Sequence, residues 1–90
     1  MSVKISIPSY LQPFTGGCDA VVAKGNTTGE CLLSLSKQFP DIGNKIFNEG
    51  GELIDYVSIF VNGEFVNKYE LTKPVNDGDE LHVFYILGGG

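Results

Sequence analysis

Val57-Ser58-Ile59-Phe60-Val61-Asn62-Gly63-Glu64-Phe65-Val66 reads as a β-hairpin. Val57, Ile59 and Val61 alternate with Ser58 and Phe60, the period of a strand with two unlike faces. Asn62-Gly63 is the strongest short hairpin signal, because a tight two-residue turn needs positive φ at both central positions. The chain then returns through Glu64-Phe65-Val66. Downstream, Tyr69 to Pro74 is irregular, with Leu71 placed to plug a core. Asn76-Asp77-Gly78-Asp79 makes another turn, and Glu80 to Ile86 forms the last strand before Leu87-Gly88-Gly89-Gly90.

Upstream of the hairpin, Val3, Ile5 and Ile7 alternate with Lys4 and Ser6 in a half-buried strand that Pro8 ends. Tyr10 to Gly17 reads as a loop, with Pro13 and a Gly16-Gly17 turn. Asp19 to Ala23 reads as a second strand that closes an antiparallel hairpin with the first. After the Lys24-Gly25-Asn26 turn, Thr27-Thr28-Gly29-Glu30 has the form of a capping box, in which Thr27 accepts from the Glu30 amide and Glu30 reaches back. Leu32, Leu35 and Phe39 recur at helical spacing with Cys31 beside them, and Pro40 stops the helix. Residues 41–52 hold a short helical turn around Ile46-Phe47 and a Gly50-Gly51 break. The order β-β-α-(short helix)-β-β-β predicts an α+β fold, a mixed sheet with one main helix packed on one face.

Composition narrows the function. Ninety residues suit one domain, and 42% hydrophobic content is enough for a core. No apolar run approaches the roughly 18 residues of a membrane span. Met1-Ser2-Val3-Lys4-Ile5 alternates like a strand and lacks the apolar block of a signal peptide, so a cytoplasmic location is expected. All six cations are Lys, and the net charge is −5. Without Arg there is no bidentate reader of phosphates or bases, which argues against nucleic acid as a partner. The acidity is uneven. Lys68 and Lys73 face Glu49, Glu52, Asp55, Glu64, Glu70, Asp77, Asp79 and Glu80 from Ile46 onward, so that half carries −6. Such a surface is either plain solvated acid or the footprint of a basic partner.

Side-chain chemistry is sparse. One His with Cys18 and Cys31 cannot close a four-ligand Cys/His zinc site, and a plant-type iron–sulfur ferredoxin needs four Cys. No Gly-Lys-Ser/Thr follows the glycines, so there is no P-loop. Asp77-Gly78-Asp79-Glu80 lacks the spacing of a calcium loop and reads as a turn. Cys31 lies on the apolar helix stripe and is expected as a packed free thiol. No bound metal or cofactor is expected, and no catalytic set is present. The remaining chemical candidate is the terminal carboxylate. An α-carboxyl has a pKa of about 3.3–3.7, so it is anionic at neutral pH and can attack an activated phosphate. Glycines lack a Cβ and can thread a narrow channel to present it. An inert, disordered end is the competing reading.

With these pieces in order, the chain resembles the MoaD/ThiS family of β-grasp, ubiquitin-like sulfur carriers, most closely its CysO-type branch. The resemblance runs through Phe14-Thr15-Gly16-Gly17, the Gly25 turn and capped helix, Val57 to Glu64, Asp77-Gly78-Asp79-Glu80 and the terminal Gly89-Gly90. Relatives commonly place a Pro where Tyr85-Ile86-Leu87 stands, and Ala or Thr at position 88. The resemblance implies a β-grasp domain over residues 1–87 and a flexible tail over 88–90. It implies that an E1-like adenylyltransferase, using ATP and Mg, activates the Gly90 carboxylate, with Gly88 and Gly89 threading its channel. A sulfur donor then converts the acyl-adenylate to a thiocarboxylate. A PLP-dependent sulfhydrylase or another acceptor enzyme takes the sulfur, with cysteine or homocysteine synthesis favoured over molybdopterin or thiamine-thiazole formation. In some relatives a metalloprotease trims residues beyond Gly-Gly. The chain is then a cosubstrate and not an enzyme, a monomer when free, with no nucleic-acid or membrane partner. A ubiquitin-like modifier shares the activation step and stays open beside the carrier.

The pleat predicts the docking face. Leu81, Val83 and Tyr85 share one side of the last strand, and His82, Phe84 and Ile86 the other. If the helix covers Val57, Ile59, Val61, Leu81 and Val83, then Phe60, His82 and Phe84 form an open partner-docking patch. His82 is expected to serve as a hydrogen-bonding rim residue.

Overall fold

A computed structural model describes residues 1–55 and 57–85. Among these residues five strands form one sheet: β1 (Ser2–Ser6), β2 (Ala20–Lys24), β3 (Val57–Val61), β4 (Glu64–Val66) and β5 (Glu80–Tyr85). Their spatial order is β2-β1-β5-β3-β4. β1 runs antiparallel to β2 and parallel to β5, while β3 runs antiparallel to both β5 and β4. The sheet is therefore mixed, and its central pair joins strands from opposite ends of the chain. Among the described residues, two helices, α1 (Thr28–Gln38) and α2 (Pro40–Ile46), and two 3₁₀ segments, Ser9–Thr15 and Lys68–Glu70, accompany the sheet.

One core lies between sheet and helices. Val3, Ile5, Ile59, Leu81 and Val83 project from the sheet, and Leu32, Leu35, Ile42 and Ile46 from the helices, all essentially without exposure. Val61 lies at the margin of this face and is half-buried. Cys31 is a buried free thiol, and Cys18 is free and exposed. Burial pushes the Cys31 thiol above its ordinary value, since a thiolate would be poorly solvated there.

The Asn62-Gly63 turn adopts φ 51° and 86°, both positive as a primed hairpin turn requires. Thr27 caps α1, its side-chain oxygen 3.1 Å from the Glu30 amide. The return half of the expected capping box differs. The Glu30 carboxylate accepts from the Asn26 amide at 2.8 Å, one residue further back than Thr27. A complete capping box occurs instead at Asn67 and Glu70, around the second 3₁₀ segment.

Two further expectations need correction. Tyr10 to Gly17 is no open loop. Ser9–Thr15 winds into a 3₁₀ helix that buries Leu11 and Thr15 and ends on Gly16 at φ 64°. The Thr15 hydroxyl lies 3.1 Å and 2.9 Å from the Gln12 and Cys18 carbonyls, so the segment bonds locally without an apolar stripe. Pro40 does stop α1, but it also starts α2 as its first residue, where a fixed φ and a missing N–H cost nothing. The short helix thus precedes Phe47 instead of centring on Ile46-Phe47, because Ile42 and Ile46, one turn apart, anchor it in the core. Gly43 permits the close approach of α2 to α1: a Cβ there would lie 2.9 Å from the Ser36 Cβ.

Candidate functional site: the open face of the sheet

Because both helices pack on one side, the alternate residues of each strand face away from them. Register aligns these residues across the strands. Phe60 of β3 stands opposite His82 of β5 and Phe65 of β4, and Ser58 stands opposite Phe84. On the far side of β5, Ser6 of β1 is level with His82, and Lys4 with Glu80. The open face is aromatic over β5-β3-β4 and short or polar over β1.

The aromatic part is one connected cluster. Phe60 meets Phe84 edge-on with ring centroids 5.6 Å apart, and meets Phe65 at 5.7 Å, both geometries that a ring quadrupole favours. His82 stacks on Phe84 at 6.0 Å with planes 8° apart. Its Nε2 lies 3.9 Å from a Glu80 carboxylate oxygen. Phe84 is 44% exposed and Phe65 55%, while Phe60 and His82 are half-buried. These rings stand on the sheet face away from the helices and do not belong to the buried core.

The structure places Phe60, His82 and Phe84 together on the open face. Phe65 was missed in the sequence reading. The signal was present, since a two-residue turn at 62–63 pairs 61 with 64 and therefore 60 with 65. Gly88, Gly89 and Gly90 lie outside the described residues; in sequence they follow Phe84 by four to six positions.

Three acidic groups on the surface of the acidic half are held ionised by local bonds. The Asp79 carboxylate accepts from the Asn76 amide at 2.8 Å and from the Asn62 side chain at 3.0 Å, which keeps its pKa below the ordinary aspartate value. Glu70 is lowered by the Asn67 amide first and then by Lys73. Asp55 is lowered by its bond to the Lys68 ammonium, at 2.5 Å, which in turn raises Lys68. Among the described residues no group of three or more His, Cys, Asp or Glu is placed to hold a metal ion. No helix among the described residues is long and apolar enough to cross a membrane.

Comparison with known proteins agrees with this geometry. A model of the ThiS family matches residues 5–90. Sulfur carrier protein CysO of Mycobacterium tuberculosis is 33% identical over 93 residues, covering 100% of both chains. Among solved structures, a chain in the crystal structure of the Amycolatopsis orientalis BexX/CysO complex is 32% identical, with a TM-score of 0.85 over 98% of this chain and 99% of that one. The crystal structure of SAMP1, the small archaeal modifier protein of Haloferax volcanii, is 27% identical, with a TM-score of 0.86 over 100% of both chains.

Proposed function

Because this chain belongs to the ThiS family of small β-grasp, ubiquitin-like proteins, we propose that it is a sulfur carrier whose reactive group is the Gly90 carboxylate. Members of this group are small protein carriers, not catalysts. The observation that carries the reading is full-length similarity to a sulfur carrier protein, 33% identity with nothing left over in either chain. The open aromatic face, whose Phe84 precedes the glycines by a few residues, supports it.

In this proposal an E1-like adenylating enzyme docks on Phe60, His82 and Phe84, and Gly88 and Gly89 lead the terminus into its active site. A carboxylate oxygen of Gly90 attacks the α-phosphate of the enzyme's Mg-bound ATP. The bond to pyrophosphate breaks, and an acyl-adenylate forms. A sulfide sulfur then attacks the acyl carbon and AMP leaves, producing a thiocarboxylate. An acceptor enzyme takes the sulfur, in our reading a PLP-dependent sulfhydrylase making cysteine or homocysteine. ATP and Mg belong to the partner, and this chain binds no cofactor. We place the free chain as a cytoplasmic monomer, with residues 1–87 as its folded unit and 88–90 as its tail. A metalloprotease that exposes Gly-Gly is a further proposed partner.

Intact-protein mass spectrometry after incubation with the adenylating enzyme, ATP and sulfide tests the reading. The expected result is a gain of one oxygen-to-sulfur exchange, located at Gly90 by fragmentation. An unchanged mass with an enzyme competent on another carrier overturns it. The second reading, a protein modifier, draws on the likeness to the small archaeal modifier protein. It predicts Gly90 joined to lysines of other proteins in cell lysate.

A further inference from the structure

Beside the aromatic cluster, between the β3–β4 hairpin and the second 3₁₀ segment, lies a groove of about 290 Å³. Ile54, Val57 and Val66 line it with apolar surface, Phe65 and Tyr69 supply aromatic walls, and Asp55 lies at its rim. Both rings are strongly exposed, Tyr69 at 79%. An exposed ring beside an apolar floor and a carboxylate suits a long cationic side chain: the stem covers the floor, the head stacks on a ring, and the carboxylate accepts hydrogen bonds from its N–H groups. The chain itself demonstrates this fit. The Lys68 ammonium lies 5.3 Å from the Tyr69 ring centroid and bonds Asp55 at 2.5 Å, a cation already seated on the ring and carboxylate of this groove.

We propose that this groove is a second docking point for the adenylating partner, and that it accepts a partner arginine that takes over Asp55 and the Tyr69 ring from Lys68. The inference rests on the carrier reading above. Charge favours a cationic occupant, because the half of the chain from Ile46 onward carries −6. Both of its lysines already pair with its own acids, Lys68 with Asp55 and Lys73 with Glu70. Arginine fits better than lysine, since its planar head stacks on an aromatic face and still offers donors to a carboxylate. The groove is also continuous with the aromatic face, because Phe65, one of its walls, packs edge-on against Phe60 at 5.7 Å. The groove therefore adjoins the surface that Phe60 and Phe84 present.

Substitutions of opposite sign provide the test. Asp55, Lys68 and Tyr69 are surface residues, so their variants keep the fold, which an amide NMR fingerprint verifies. Calorimetric titration of the full chain with the adenylating enzyme of the same organism, without ATP, gives the Kd. Asp55→Asn and Tyr69→Ala are each expected to weaken binding about fivefold, the size of an exposed ion pair or cation–π contact. Lys68→Gln is expected to tighten it, because it removes the competing internal cation while leaving Asp55 charged. Tighter binding by Lys68→Gln together with weaker binding by Asp55→Asn supports the proposal. Weaker binding by Lys68→Gln means that the partner offers an acid instead, and overturns it, as do unchanged affinities in all three variants. If the wild-type chain neither binds the enzyme nor supports ATP–pyrophosphate exchange, the carrier reading itself falls.

Discussion

Phe60 touches both neighbouring rings of the open face and so joins Phe65 to Phe84. Phe84→Ala removes an exposed ring, so the expected stability loss is below about 1.5 kcal/mol, the worth of an aromatic pair. In adenylation assays the same variant is expected to raise the KM for the carrier about tenfold or more with kcat unchanged, as for loss of a docking anchor. Asp79 makes the opposite kind of contribution, electrostatic and purely structural. Its folded pKa is depressed by the Asn76 amide and the Asn62 side chain. The stability from these bonds is complete above the unfolded-state carboxyl value of about 3.9, and is lost as pH falls below it through the lower folded value. Asp79→Asn is therefore expected to lower Tm at neutral pH, and the gap from wild type should close in acid. Thermal melts across that range check it.

Two glycines separate conformational from steric requirements at the scale of single elements. Gly63 sits at φ 86° with open space around a would-be Cβ. Gly63→Ala should cost about 1–2 kcal/mol from the left-handed backbone alone. Gly43 has ordinary helical geometry, and Ala would gain about 1 kcal/mol of helix propensity there. The Ser36 Cβ only 2.9 Å away cannot swing aside, so α2 must move off α1. Overpacking of this kind costs about 1–3 kcal/mol, and Gly43→Ala is expected to destabilise on balance. Chemical denaturation of both variants checks the pair; a more stable Gly43→Ala would contradict the close helix contact. The elements themselves were legible because their signals are local. Alternation marks Val57–Val61, Asn62-Gly63 marks the turn, and Thr27 marks the start of α1. The 3₁₀ helix at Ser9–Thr15 was not legible. Its three-residue bonds impose no apolar periodicity, and Pro13 with two glycines reads equally well as coil. The displaced capping bond had the same origin, since only the path of the Gly25 turn brings the Asn26 amide within reach of Glu30.

Over the whole molecule, the charge is divided between the two halves of the chain. The acidic half contributes β3, β4 and β5, the strands that carry the aromatic face. If a basic partner docks there, its association rate should fall steeply between about 0.01 and 0.15 M salt, as the Debye length shrinks from about 30 to 8 Å. Stopped-flow mixing at several salt concentrations measures this; a salt-independent rate would make the acidity plain solvation.

Residue order alone was enough to define the strands, the main helix, the turns and which side of each strand is apolar, because these depend on neighbours a few positions apart. It also placed Phe60, His82 and Phe84 on a common side. Tertiary structure decided what lies beside what. β1 and β5 pair in parallel across most of the chain, a long-range contact with no local signature. That pairing sets β5 between β1 and β3 and aligns His82 with both Ser6 and Phe60. The groove is of the same kind. Asp55 and Lys68 are thirteen residues apart on opposite sides of the hairpin, and only its closure brings them into contact. Local periodicity reports which face is buried; partners are chosen by the packing of the whole core.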